Sequence, residues 1–180
     1  MAHGSSRKLQ AVPRSRTPSS GVVDGNAKFD LIAELGRGGM ASVFLARARR
    51  GRWEGKLLVL KRLHSELTEN QEFLEMFLEE ARLAGQLQHP NIVETYEVGV
   101  DHGRYYIAME YLEGLSLQAV LSRFGWKRGL SFAHHARILI EVLRGLEHAY
   151  NQFDGEGAPL RVVHRDVSPP NIIITFAGAV

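Results

Sequence analysis

The segment His164-Arg165-Asp166-Val167-Ser168-Pro169-Pro170-Asn171 sets a carboxylate five residues ahead of a carboxamide. Lys61, closing Leu58-Val59-Leu60-Lys61, lies about a hundred residues upstream. A third chemistry-bearing stretch is Gly36-Arg37-Gly38-Gly39-Met40-Ala41-Ser42-Val43. Glycines let a backbone come close to phosphates and aim amide N–H groups at them. An ordinary Gly-rich hairpin turn is the competing reading of that stretch. A dinucleotide-binding loop needs a helix next, but Ser42 to Ala48 alternates like a strand, and GxxxxGK[ST] occurs nowhere in the chain. Lys61 follows three apolar residues in an expected buried strand, where an ammonium is costly without a partner. Glu79 and Glu80, on the helical segment that follows, are the available carboxylates, separated by about 100° of helix rotation.

The elements that must position these groups are legible in outline. Phe29 to Leu35, Ser42 to Ala48 and Lys56 to Leu63 read as an antiparallel meander of strands. Thr68 to Leu87 carries Phe73, Phe77, Ala81 and Ala84 at the spacing of one buried helical face, with Thr68 as the expected N-cap and Gln71 completing a capping box. Ile92 to Val100 and Arg104 to Tyr111 read as two strands joined by a hairpin turn through Asp101-His102-Gly103. Strands are expected to give way to helices after Gly114: a short one opened by Ser116, then a longer one capped by Ser131, with Ile138, Leu139, Val142, Leu143 and Leu146 forming an apolar stripe. Gly155 to Pro159 reads as a loop, and Val162-Val163 and Ile172 to Thr175 as brief strands around the Asp166 segment.

In this order and spacing the segments resemble the protein kinase signature set: a GxGxxGxV loop, the third-strand Lys, a helix-C Glu and the HRDxxxxN loop. The GGM turn and the Ser-Pro catalytic loop are most similar to bacterial eukaryotic-like (Hanks-type) serine/threonine kinases. The resemblance implies an α+β, two-lobed kinase-like fold with a five-stranded antiparallel N-lobe, helix C and the first part of a helical C-lobe. It divides the chain into a tail over 1–27, an N-lobe and hinge over 28–112 and a partial C-lobe over 113–180. It implies ATP and Mg²⁺ as cofactors and a protein Ser/Thr hydroxyl as acceptor. Asp166 would be the base, Asn171 the metal ligand, and Lys61 with Glu80 the pair over the α- and β-phosphates. Gly36, Gly38 and Gly39 would meet the phosphates. Met109 would be gatekeeper, Glu110 C=O and Leu112 N–H would meet adenine, and Leu35, Val43, Val59 and Ile173 would sandwich its ring. Family His164 packs in the core beneath the site. Two positions depart from the pattern: Ala41 stands at the third Gly, and Ser168 stands where a Lys would neutralise the moving phosphoryl. Pro169 matches the Ser/Thr-type loop, and the tyrosine-type AAR sequence is absent.

Composition narrows the class further. Residues 1–27 carry Arg7, Lys8, Arg14 and Arg16 against Asp24, a net of +3; the whole chain is +2, so the rest is −1 and no nucleic-acid face is expected. The same residues are rich in Ser, Pro, Arg and Gly without periodicity, which reads as a disordered tail. With no cysteine, disulfides and thiolate metal sites are excluded. No apolar run is long enough for a signal peptide or a membrane span, so a cytoplasmic setting is the default expectation. The Asp-Phe-Gly segment of the family would lie beyond Val180. These 180 residues are therefore expected to turn over negligibly and to leave the apolar stripe from Ile138 to Leu146 uncovered. A nucleotide-binding, pseudokinase-like interaction module is the alternative function.

Overall fold

The computed structural model describes residues 27–124 and 129–180. All but the last residue of the expected 1–27 tail lies outside the described residues. Strands β1 (Phe29–Arg37), β2 (Ala41–Ala48), β3 (Leu57–Leu63), β4 (Thr95–Asp101) and β5 (Arg104–Glu110) form one antiparallel sheet in the order β1-β2-β3-β5-β4. Helix α1 (Gln71–Ala84) lies between β3 and β4 in the chain. A second part follows: β6 (Gly114–Ser116), α2 (Leu117–Phe124), α3 (Phe132–Tyr150) and β7 (Ile173–Thr175). None of the described helices is long and apolar enough to cross a membrane.

Strand periodicity divides the sheet into two faces. Leu58 and Leu60 point into a cluster with Phe29, Ala46, Ala48, Tyr106 and Ala108, all at most 4% exposed. On the other face Leu63 and Ile107 meet Ala41 and the Phe77 and Ala81 side chains of α1. The first face is closed partly by its own polar groups. Lys28 Nζ reaches Glu97 at 2.7 Å and donates to the Tyr106 hydroxyl at 3.2 Å, while that hydroxyl donates to Glu97 at 2.8 Å. Burial, together with the Glu97 carboxylate, pushes the Tyr106 phenol above its ordinary pKa. The β4–β5 turn takes φ of 51° at His102 and 73° at Gly103, the left-handed pair that a two-residue hairpin requires.

Several sequence expectations need correction. Helix α1 starts two residues later than expected, because Asn70 and not Thr68 is its N-cap: the Asn70 side chain accepts from Glu72 N–H at 3.1 Å and Phe73 N–H at 3.4 Å. Ser65–Leu67 form a single 3₁₀ turn, which Thr68 closes by donating its N–H to Ser65 C=O. Gln71 turns away from the expected capping box to donate to Glu75. Strand β4 begins at Thr95 and not Ile92, since Ile92 N–H closes a turn onto His89 C=O. Strands do not end at Gly114: β6 pairs with β7. That pairing demands glycine at 114, where a Cβ would lie 2.4 Å from the Ile174 carbonyl oxygen. Val162 and Val163 are not a strand, and Val163 is 63% exposed. Ser131 does cap α3, its side chain accepting from His134 N–H.

The α3 stripe divides. Ile138 is buried, while Leu139 and Leu143 are about 60% exposed. Opposite them, Gly145 lets the 89–92 segment abut α3, for a Cβ there would lie 3.0 Å from Asn91 C=O. His89 and His148 rings meet nearby with centroids 4.9 Å apart. The segment between α1 and β4 is thereby fastened to the helical part.

The capping assignment has a direct check. Asn70→Ala should lower stability by about 1 kcal/mol in urea unfolding, the usual effect of deleting a side-chain cap, while Thr68→Ala leaves the midpoint nearly unchanged.

Candidate functional site

Register fixes which side chains share the α1 face. Val43 pairs with Lys61 and Lys61 with Ile107; Leu45 pairs with Val59 and Val59 with Met109. Directly opposed residues lie on the same side of a sheet. Val43, Val59, Lys61 and Met109 therefore look out on one face, the face on which α1 lies. Leu35 falls in the β1 irregularity between Glu34 and Gly36 and is 52% exposed. Gly38 N–H donates to Ala41 C=O at 2.9 Å, closing the Gly-rich turn between β1 and β2. Ala41, at the position of the third glycine, buries its methyl with Leu63, Phe77 and Ala81, which accounts for a side chain there.

Lys61 is not deeply buried as expected; its side chain keeps 26% of its exposure. Its ammonium donates to both carboxylate oxygens of Glu80, at 2.5 and 2.7 Å, and lies 5.9 Å from the centre of the Phe77 ring. Glu79 is otherwise engaged: both its oxygens take Arg82 at 2.8 Å, and that guanidinium holds its carboxyl below the usual range. The choice between the two carboxylates is thus settled by helix rotation. Phe77 and Ala81 turn inward and Glu80 lies on the side of them that reaches Lys61, while Glu79 lies on the side that reaches Arg82.

The second constellation is in the loop before β7. Asn171 Nδ2 donates to Asp166 Oδ2 at 2.8 Å, to Asp166 C=O at 3.1 Å and to Ser168 Oγ at 3.3 Å. With the amide nitrogen directed into the loop, the carboxamide oxygen faces the other way. Ser168 was legible in the sequence only as a departure from a pattern; here it is one of the acceptors that orient Asn171. Arg165 takes φ of 62°, a left-handed conformation that reverses the chain just ahead of Asp166. His164 is exposed rather than packed in a core, and acts locally by accepting Asp166 N–H on Nδ1 at 3.3 Å. Pro169–Asn171 make a 3₁₀ turn, and Ile172 C=O accepts from Leu117 N–H at 2.7 Å, tying the loop to the start of α2.

Residues 110–113 join the two parts. Glu110 N–H donates to Glu94 C=O, and Glu113 C=O accepts from Phe176 N–H, both at 2.9 Å. Ile173 enters beside this connection because β7 pairs with β6, Ile173 opposite Ser116. The structure thus joins Lys61 to Glu80 and Asp166 to Asn171, and carries the two pairs on separate lobes.

An antiparallel five-stranded sheet bearing a Lys–Glu pair to a single helix, followed by a mainly helical part with an Asp–Asn loop, defines a kinase architecture. Residues 29–180 match the family "Protein kinase domain", and the chain belongs to it. It is 44% identical over 153 residues to Tyrosine-protein kinase MasK of Myxococcus xanthus (strain DK1622), covering 84% of this chain and 24% of that protein. It is 31% identical over 157 residues to Serine/threonine-protein kinase PrkC of Bacillus subtilis (strain 168), covering 85% of this chain and 22% of that one. The chain therefore spans less than a quarter of these relatives. Among solved structures, the PknI kinase domain of M. tuberculosis superposes with a TM-score of 0.64 at 27% identity, over 85% of this chain and 56% of that one. The N-lobe with its single helix and the start of a helical lobe are those of a bacterial eukaryotic-like kinase.

Asn171→Ala should raise amide hydrogen exchange across residues 164–172 while the amides of β2, β3 and β5 keep their protection. Equal loosening of both regions would mean that the carboxamide does not act locally on the loop.

Proposed function

We propose that this chain carries the nucleotide-binding and catalytic-loop portion of a protein kinase that passes the γ-phosphoryl group of ATP to Ser/Thr hydroxyls. The observation that carries the reading is the Lys61–Glu80 pair, set on the same sheet face as Val43, Val59 and Met109. A lysine held at a fixed height by a helix carboxylate presents its charge to the α- and β-phosphates without having to be ordered on binding. Gly36 and Gly39 lie where their amide N–H groups can follow the phosphates, while Gly38, whose N–H is taken by Ala41 C=O, holds the turn in shape. A Cβ at Gly36 or Gly39 would have no neighbour within 4 Å, so the turn leaves open space for a ligand. Val43, Val59 and Met109 from above, with Leu35 at the rim and Ile173 from below, enclose the adenine ring. Glu110 C=O and Leu112 N–H reach its edge.

In the catalytic loop, the Asp166 carboxylate orients the acceptor hydroxyl and takes its proton as the oxygen attacks the γ-phosphorus, while the bond from that phosphorus to the β–γ bridging oxygen breaks and ADP leaves. The donor set fits a divalent ion: the Asn171 nitrogen is engaged by Asp166 and Ser168, leaving the carboxamide oxygen as a hard ligand of the kind Mg²⁺ takes. When bound, that ion neutralises the charge that develops between the β- and γ-phosphates. Ser168 supplies no positive charge to the transferring group, so neutralisation rests on Lys61 and the metal. The Ser/Thr preference is supported by Pro169 in the loop and by the name of the B. subtilis relative, a serine/threonine kinase, while the M. xanthus relative is named a tyrosine kinase.

Mg-ATP at about 100 times its dissociation constant should raise the melting temperature by roughly 5–10 °C. Lys61→Met and Glu80→Gln should each remove most of that rise, and Glu79→Gln should not; a melting temperature indifferent to Mg-ATP in the unaltered chain refutes the reading. For the acceptor, product made by the gene's full open reading frame should contain phosphoserine or phosphothreonine on acid hydrolysis. Phosphotyrosine alone would reverse the assignment.

A further inference from the structure

One residue outside the signature set holds the base of the Gly-rich turn from two sides. His64, immediately after β3, donates its backbone N–H to Met40 C=O at 2.9 Å, and its ring Nε2 lies 3.1 Å from the Ser42 hydroxyl. Met40 and Ser42 flank Ala41, whose carbonyl closes the turn by accepting Gly38 N–H. Ala41 and Ser42 are 5% and 8% exposed, so both contacts lie at the buried root of the turn and not at its tip. The glycines above this root have no side chains with which to fix themselves. Their amide directions are set by where β2 begins, and the start of β2 is set by its pairing with Leu63 and by His64.

We propose that His64, acting through Ser42, is a positioning residue for the nucleotide phosphates: it fixes the start of β2 so that the amide groups of the Gly-rich turn not already taken by Ala41 are aimed before ligand arrives. The inference rests on the nucleotide site proposed above. It assigns a task to a Ser–His pair that the family resemblance leaves without one. The hydrogen bond forms whichever partner carries the proton, since neutral imidazole accepts or donates at Nε2 according to its tautomer and a hydroxyl can do either. His64 also begins the short connection through Ser65–Leu67 to α1, and Leu67 packs on the cluster that holds Phe77. The turn is thereby referenced to the helix that carries Glu80.

Calorimetric titration of the purified chain with Mg-ATP and with adenosine separates this from a general packing role, because adenosine lacks the groups that the turn contacts. His64→Ala and Ser42→Ala should each weaken Mg-ATP binding about tenfold, the worth of one hydrogen bond near its upper range, and leave adenosine affinity unchanged. The double variant should be no weaker than either single one, and His64→Gln should recover most of the affinity. Unchanged Mg-ATP affinity in Ser42→Ala overturns the proposal even if His64→Ala does not fold. An equal loss for adenosine overturns it too, by showing distortion of the whole cleft. If the unaltered chain binds neither ligand, the nucleotide reading itself falls.

Discussion

The geometry of the site depends on the seating of α1 against β3, through Phe77 and Ala81 on one side and Leu63, Ile107 and Ala41 on the other. Magnitudes show which contact does the holding. Burying a Phe side chain is worth about 1.5–3 kcal/mol, while an ion pair as exposed as Lys61 with Glu80 contributes about 0–1 kcal/mol. The helix is therefore held by its apolar face, and the pair is a consequence of that seating and not its cause.

The same seating couples parts that are distant in the chain. Ala41 belongs both to the Gly-rich turn and to the α1 cluster, so a shift of the helix is felt at the root of the turn. On the opposite face of the sheet a separate core, closed by Lys28, Glu97 and Tyr106, is built without α1. One face thus gives the sheet its own stability and the other is kept for the helix and the site. The loop that carries Asp166 and Asn171 is built on a different basis. It has little apolar burial, and its shape comes from the Asn171 carboxamide, the Arg165 left-handed residue and the Pro169–Asn171 turn.

Residue type and spacing alone carried the signature residues, the five strands of the large sheet, the existence of α1 and the Ser131 cap. The signature residues were read through the resemblance to the kinase family; the strands, the helix and the cap rest on local rules: period two, period 3.6, and an oxygen-bearing side chain ahead of a helix. Local rules also explain the misses. Thr68 and Asn70 are both good caps, and the choice between them depends on where a 3₁₀ turn ends, which no single side chain announces. Val162 and Val163 have strand-forming side chains but no partner strand. The three residues of β6 carry no pattern; they become a strand only because β7 is brought alongside, with Gly114 permitting the approach.

The sequence by itself determined which chemical groups this kinase-family chain carries and on which elements they ride, because periodicity and turn chemistry act within a few residues. Tertiary structure decided which of two adjacent glutamates meets Lys61, that His64 reaches Ser42, and that Asn171 turns its nitrogen toward Asp166 and its oxygen outward. Each of those outcomes depends on the rotation of one element against another, and that rotation is set by packing between residues far apart in the chain.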